Sequence, residues 1–482
     1  MKSTNESCTG VLVSEYNPHF LEQANNNLIM VNIGSVFTIN DKKYILSCHH
    51  CIKNSYNNIF NKQYACSPIC ISPELELGLL SFNTIEPDNM ECNLLSDFDL
   101  TLDSFRNTTK FSIETCDIDE YIKTKRCILE NINCSFYDII YSNHLSLNMP
   151  KMPFIRVTLN NTYNDISQLS GISGSIVRSD KNTIIGIVSS IIDSYVYIIP
   201  SYCILKFLNE FKNTNHFNGI SGLVGQFNLC GFDKNELRSN LPYGILVSNT
   251  YGIKSNLLKN DIILEVGGQP IDGNGKIYDK IIKLPLEFNL YFSLNYPCGE
   301  TVILKIARLK KGSNTEYKEK NITIESRSLN SMKYIPIEFN KKIYEFANMK
   351  FIELSEDIIN HYINLGFSTG LSVADKFIDN PYRHTENFIV MLINIDKTKL
   401  VSRLRKTVTS IGLPLVPIKN KQYSFTIIKK INSNKITCLD DFVKYTNQEG
   451  HNEIIIDAII DSFGKIMIHV KNGDIVNIVK GK

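Results

Sequence analysis

Ser170-Gly-Ile-Ser-Gly-Ser-Ile-Val177, followed by the apolar run Thr183 to Val188, is the stretch whose reading decides the fold. A serine flanked by glycines, set between a turn and a β-rich segment, presents its hydroxyl where backbone N–H groups can face the same point. Ser173 is therefore the candidate nucleophile, and the N–H groups of Gly171 and Ser173 are the candidate oxyanion hole. A Gly-x-Ser-Gly by itself more often makes an ordinary turn. A serine hydroxyl also needs an imidazole to take its proton and a third group to orient that imidazole. Far upstream, Tyr44-Ile-Leu-Ser-Cys-His-His-Cys-Ile52 supplies two histidines, and the chain order is histidine, acid, serine.

With both pieces in view, Ile45-Leu-Ser-Cys-His-His-Cys51 resembles the histidine motif of the trypsin-like serine proteases, and Gly171-Ile-Ser-Gly-Ser175 resembles their serine motif. The resemblance puts His50, not His49, at the position of the base. It puts Glu76 at the acid, because Ser72-Pro-Glu-Leu-Glu-Leu-Gly-Leu-Leu-Ser-Phe82 is similar to the family's Asp-Leu-Ala-Leu-Leu strand with Glu in place of Asp. Asp99, in Asp97-Phe-Asp-Leu-Thr-Leu102, has the preferred residue type but stands much further from His50, and both acids remain open at this point. Ile172 before the serine, Ser175-Ile176 after it and the bulky His49 before the base depart from the family pattern.

Outward from these motifs the chain reads as mainly β. Residues 1–27 form a polar segment, and 28–214 a trypsin-like double β-barrel closed by a helix over Ser201 to Phe211, where Ile204, Phe207, Leu208 and Phe211 share one face. Asn40-Asp-Lys-Lys43 is the turn of the hairpin that delivers His50. Thr108 to Tyr163 mixes short apolar runs with Asn and yields no secure strands. From Gly222 the texture changes: Leu257-Leu-Lys-Asn-Asp-Ile-Ile-Leu-Glu-Val-Gly-Gly-Gln-Pro-Ile271 resembles a PDZ domain over 215–328. Such domains add an extended peptide to a sheet edge. Gly222, Leu223, Val224 and Gly225 are the candidate carboxylate loop, with an ordinary bend as the competing reading. A divergent second PDZ-like α+β domain follows over 335–478. A protease followed by two such modules is similar to the HtrA/Deg family, of the plant-type Deg branch, and the resemblance implies a homo-oligomer, a trimer or hexamer.

Composition bounds the alternatives. The chain has 482 residues, 43% hydrophobic and 21% charged, which is a globular balance with length for about three domains. A net charge of +2 carries no electrostatic footprint for nucleic acid. No stretch reaches the length of a membrane span. The 13 cysteines are an odd number spread over a long chain, so we expect reduced thiols, a cytoplasmic or other reducing compartment, and no signal peptide. Cys48-x-x-Cys51 with Cys66 and Cys70 would supply four thiolates for zinc. Because Cys48 directly ends an apolar strand, the expectation is no metal and no cofactor. The leading function is an ATP-independent serine endopeptidase acting on unfolded or exposed polypeptide segments. The alternative is a catalytically inactive, protease-like scaffold that binds protein partners.

Overall fold

The computed structural model describes residues 8–16, 28–53, 55–83, 92–99, 111–124, 129–142, 152–159, 169, 171–192, 195–230, 243–250, 255–313, 316–329, 343–356, 358–359, 389–396, 400–410, 413, 415–416, 426–448, 452–460 and 464–481. It is mainly β, and its N-terminal part is two closed six-stranded barrels of antiparallel strands. The first contains β1 (Thr9–Tyr16), β2 (Leu28–Ile39), β3 (Lys42–Cys48), β4 (Ser55–Phe60), β5 (Tyr64–Ser72) and β6 (Leu77–Phe82), closed in the order β1-β2-β3-β6-β5-β4. β2 and β3 are joined at Asn40 and Asp41, both at positive φ (50° and 62°). That is the signature of a primed two-residue turn, whose twist matches the flanking strands and which asparagine and aspartate tolerate.

β1 lies inside the segment read from the sequence as a polar N-terminal region, so the first barrel begins before residue 28. Val11 and Leu12 are fully buried, and β1 closes the barrel by pairing with both β2 and β4. A lone three-residue apolar run among polar neighbours carries no period of its own. Its strand character comes from the partners on either side.

The second barrel contains β7 (Phe111–Cys116), β8 (Leu129–Ser142), β9 (Met152–Leu159), β10 (Ile176–Ser179), β11 (Ile184–Ile192) and β12 (Tyr195–Pro200), in the order β10-β11-β12-β9-β8-β7. Three of these strands come from the stretch 108–163 that showed no clean pattern. In β8 the register against β9 shifts between Phe136 and Asp138, and such a bulge exchanges the two faces mid-strand and erases the alternation. Helix α3 (Ser201–Thr214) closes the domain; two shorter helices, α1 (His49–Ile52) and α2 (Ile118–Thr124), precede it. Ile204, Phe207, Leu208 and Phe211 are buried as the spacing predicts, and the Phe211 ring meets Tyr44 of β3 edge-on, 5.3 Å between centroids.

Beyond the barrels, strands Gln226–Cys230, Gly244–Asn249, Ile262–Val266, Thr301–Leu309 and Tyr317–Glu325 form one antiparallel path, with Gln269–Pro270 paired to the side and a helix over Phe288–Asn295. Within the run Leu257 to Ile271 the strand turns back on itself at Gly267-Gly268, both at positive φ, and Val266 pairs with Gln269. This sheet belongs to the same compact unit as the barrels, which ends at Ser328. Leu329–Lys482 falls in a second unit. There an antiparallel path runs through Tyr344–Phe346, Met349–Glu353, Val390–Asp396, Thr426–Ile431, Glu453–Ile460, Gly464–Lys471 and Asp474–Lys480. Its core gathers around Phe442 of the helix Leu439–Thr446, whose ring lies 4.2 Å from that of Phe351.

Candidate active site

The geometry starts from one register. β3 and β6 run antiparallel with Cys48 opposite Leu77. One step further, His49 N–H donates to the Glu76 carbonyl at 3.0 Å, so the histidine loop and residue 76 are joined by backbone before any side chain is considered. Glu76 ends the turn after Ser72 at φ 59°, a left-handed conformation that costs a non-glycine residue of order 1–2 kcal/mol. The bend aims its carboxylate at the loop: Glu76 Oε1 accepts from the His50 N–H at 3.2 Å and is hydrogen-bonded to His50 Nδ1. Glu76 Oε2 lies 3.9 Å from His49 Nδ1, a second contact that the sequence did not suggest. Gly78 lets α1 sit this close, because a Cβ there would stand 2.1 Å from Ile52 Cδ1.

Asp99 sits elsewhere. Its N–H donates to Ile184 of β11 at 2.9 Å, and its carbonyl accepts from Ser201 Oγ at the start of α3. The structure therefore brings Glu76 to His50 and ties the Asp99 backbone to the second barrel.

The serine loop is clamped against the first barrel by β2. The Ile33 N–H donates to the Ser173 carbonyl at 3.1 Å. The glycines on either side are required by this approach: Gly171 and Gly174 have φ near +93° and +92°, and a Cβ on Gly174 would lie 2.1 Å from the Ile33 carbonyl. Around Ser173 the N–H groups of Ile172, Gly174 and Ser175 donate to the carbonyls of Leu169, Val188 and Ile172. Among the described residues, no acceptor takes the N–H groups of Gly171 and Ser173, the pair expected to face an oxyanion. Ser173 Oγ donates to the Ser189 carbonyl at 2.7 Å, which is free to accept because the β11–β12 register shifts between Val188 and Ser190.

Two of the departures noted in the sequence, Ile172 and Ser175, have a place in the packing. Ile172 is buried beneath the loop. Ser175, fully buried, donates to Thr115 Oγ1 of β7 at 2.8 Å. Ser170 lies outside the described residues.

Electrostatics set the histidine loop apart. Burial works against a charged imidazolium, but hydrogen bonds and charge from Cys51 and Glu76 outweigh it and raise His50 above its ordinary value. Burial likewise opposes a Cys51 thiolate, yet hydrogen bonds from Cys48 and His50 pull that thiol below its ordinary value. Burial would raise Glu76 too, and the bond to His50 brings it below the ordinary carboxylate range. The Cys48 thiol is pushed well up by burial and donates to the Val188 carbonyl at 3.1 Å. Cys48, Cys51, Cys66 and Cys70 are all free thiols. The four-thiolate set is not what assembles: Cys66 donates to Asn58 O, and the metal-capable donors that converge are Cys48, His50 and Cys51.

Of the four residues read as a carboxylate loop, Gly222 pairs with Arg327 and, with Leu223, faces inward; Val224 and Gly225 are half-buried before the strand Gln226–Cys230. That strand pairs with Gly244–Asn249 and stands at the end of its sheet, with Phe227 touching Phe288 at the start of the helix Phe288–Asn295. No helix among the described residues is long and apolar enough to cross a membrane.

Two closed antiparallel barrels, one carrying a histidine–carboxylate pair and the other a Gly-x-Ser-Gly loop docked onto it, define a trypsin-like double-barrel fold. No family model matches the sequence. An uncharacterized protein of Acanthamoeba polyphaga mimivirus is 23% identical over 444 residues, 90% of this chain and 80% of that protein. Among solved structures, the HtrA-type protease AlgW with a decapeptide overlaps 66% of this chain and 95% of its own, at 15% identity and a TM-score of 0.45. The same protease with a tripeptide overlaps 66% and 93%, at 16% identity and a TM-score of 0.45. What defines the fold is the pair of barrels themselves.

Proposed function

We infer that this protein is a serine endopeptidase of HtrA/Deg type, in which His50 takes the proton of Ser173, Glu76 orients the imidazole and the N–H groups of Gly171 and Ser173 receive the oxyanion. The observation that carries this is the His50 Nδ1–Glu76 Oε1 hydrogen bond, made between residues 26 apart that flank the paired strands β3 and β6 of one barrel, His50 just after β3 and Glu76 just before β6. It fixes one imidazole nitrogen and leaves the other to accept a proton, which is the role of the acid in a triad. Attack of Ser173 Oγ on a peptide carbonyl forms the acyl-enzyme, His50 returns the proton to the leaving amine, and water then releases the acid. Two preorganised donors facing the oxyanion remove about 3 kcal/mol or more from the barrier. The substrates are unfolded or exposed polypeptide segments, the sheet-edge strand Gln226–Cys230 is a PDZ-type peptide reader, and the chain works as a trimer or hexamer in a reducing compartment.

One observation favours the second reading, an inactive scaffold: Ser173 directs its proton to the Ser189 carbonyl. A fluorophosphonate probe separates the two, since it reacts only with an activated serine. Wild-type protein should be labelled and Ser173→Ala should not, with casein hydrolysis falling by several orders of magnitude in the variant. An unlabelled wild type, folded by circular dichroism, leaves the scaffold reading.

A further inference from the structure

The histidine loop carries two thiols, Cys48 and Cys51, that the protease reading does not use, beside the His50 that it does. Cys48, His50 and Cys51 each bring one ligand atom to a common point, all within 4.8 Å of one another. Both thiols are fully buried, whereas the His50 side chain is 41% exposed, so the cluster has a dry floor and one open side. Cys48 stands immediately before α1 and Cys51 within it, so the Cys-x-x-Cys spacing turns the two sulfurs back toward each other with the histidine between them. A second observation points the same way. The carboxylate of Glu76 holds His50 Nδ1, and a carboxylate on one ring nitrogen is how metal sites fix a histidine's tautomer while its other nitrogen binds the metal. Two sulfurs and an imidazole suit zinc, which takes three protein ligands and keeps a fourth position open.

We propose that Cys48, His50 and Cys51 form a zinc-binding site within the histidine loop, and that zinc bound there withdraws the imidazole from Ser173. Each thiol loses its proton to solvent as its Zn–S bond forms. The imidazole lone pair given to zinc can no longer accept a proton from a hydroxyl, so occupancy and general-base action exclude each other. The inhibitory consequence rests on the protease reading; the binding does not.

The test uses the full chain, reduced and metal-free, titrated with cobalt(II) alone as an optical stand-in. A sulfur-to-cobalt charge-transfer band should saturate at one equivalent and be bleached by zinc. Glu76→Gln should weaken cobalt binding by about 10–100-fold, and Cys48→Ser/Cys51→Ser should abolish the band. Because buried thiols are at stake, His50→Asn, on the exposed side of the cluster, covers the case in which the double variant fails to fold, and it should weaken binding by at least about tenfold. No band in the wild type, or a band of unchanged affinity in His50→Asn, overturns the site. Fluorophosphonate labelling of the wild type, compared with itself with and without zinc, reads the consequence. Labelling should fall over the zinc range that bleaches cobalt, and zinc-insensitive labelling overturns the inhibition. A cobalt band in a protein that is never labelled overturns the protease reading and leaves the metal site standing.

Discussion

Glu76 holds a strained, left-handed backbone and a side chain committed to the histidine loop, and backbone strain of this kind persists where the surroundings over-determine it. If its carboxylate fixes the His50 tautomer, Glu76→Gln should lower kcat by about 10⁴-fold with little change in KM. Asp99→Asn, altering a residue whose backbone is tied to Ile184 and Ser201, should stay within a few-fold of wild type on the same peptide substrate. The reverse pattern would move the acid to Asp99. Two residues before Glu76, Glu74 is buried, with its carboxyl raised by desolvation despite hydrogen bonds from Ser72 and the Ile220 backbone. A carboxyl whose folded pKa is raised contributes stability that is fully present below its unfolded value and is lost as pH rises through the folded one. Glu74→Gln should therefore raise Tm by a few degrees at about pH 7 and leave it unchanged at about pH 4. A gain that persists at the acid end would mean that packing, not ionisation, is responsible.

At the scale of elements, the fold is held by short segments pinned to strands. The turn Ser255 to Asp261 is attached to the strand Thr301–Leu309 by Arg308, whose Nε and Nη2 both donate to Asp261 at 2.6 Å, while Asp261 also accepts from the Leu258 N–H at 2.7 Å. Asp261 is only 1% exposed. Removing the cation leaves a buried charge uncompensated, so Arg308→Ala should destabilise by about 3 kcal/mol in urea unfolding. Asp261→Asn combined with Arg308→Met should recover much of that loss, since neither residue then carries a charge. A single variant that unfolds like the wild type would show that water screens the pair. The serine loop is an element of the same sort: two glycines and one backbone hydrogen bond to β2 place the second barrel's loop on the first.

For the whole molecule, the chain divides after Ser328 into two compact units. Each unit buries its own set of large apolar side chains, the second around Phe351 and Phe442. A chain ending at Ser328 should fold cooperatively and keep its fluorophosphonate labelling, while light scattering should report fewer subunits than for the full chain, because the strand Asp474–Lys480 stands at the end of its sheet's described path with Val476 exposed, and such an edge suits assembly. An unchanged subunit number would place assembly in the first unit.

The sequence by itself determined the β character, the hairpin that delivers His50, the serine loop and the closing helix, because each is written in local chemistry: a period of two or of 3.6, or a residue that tolerates positive φ. Only the tertiary structure decided the rest. β1 and β8 became strands through their neighbours, one too short to show a period and the other bulged across it. Glu76 was preferred to Asp99 on His50 by a backbone turn and a strand register, neither of which a one-dimensional spacing contains. Cys48, His50 and Cys51 became one cluster because a single turn of helix follows β3, whereas Cys66, equally plausible by spacing, points to the Asn58 carbonyl. Side chains that meet through space are selected by packing of the whole barrel, and that selection leaves no mark on the intervals between residues along the chain.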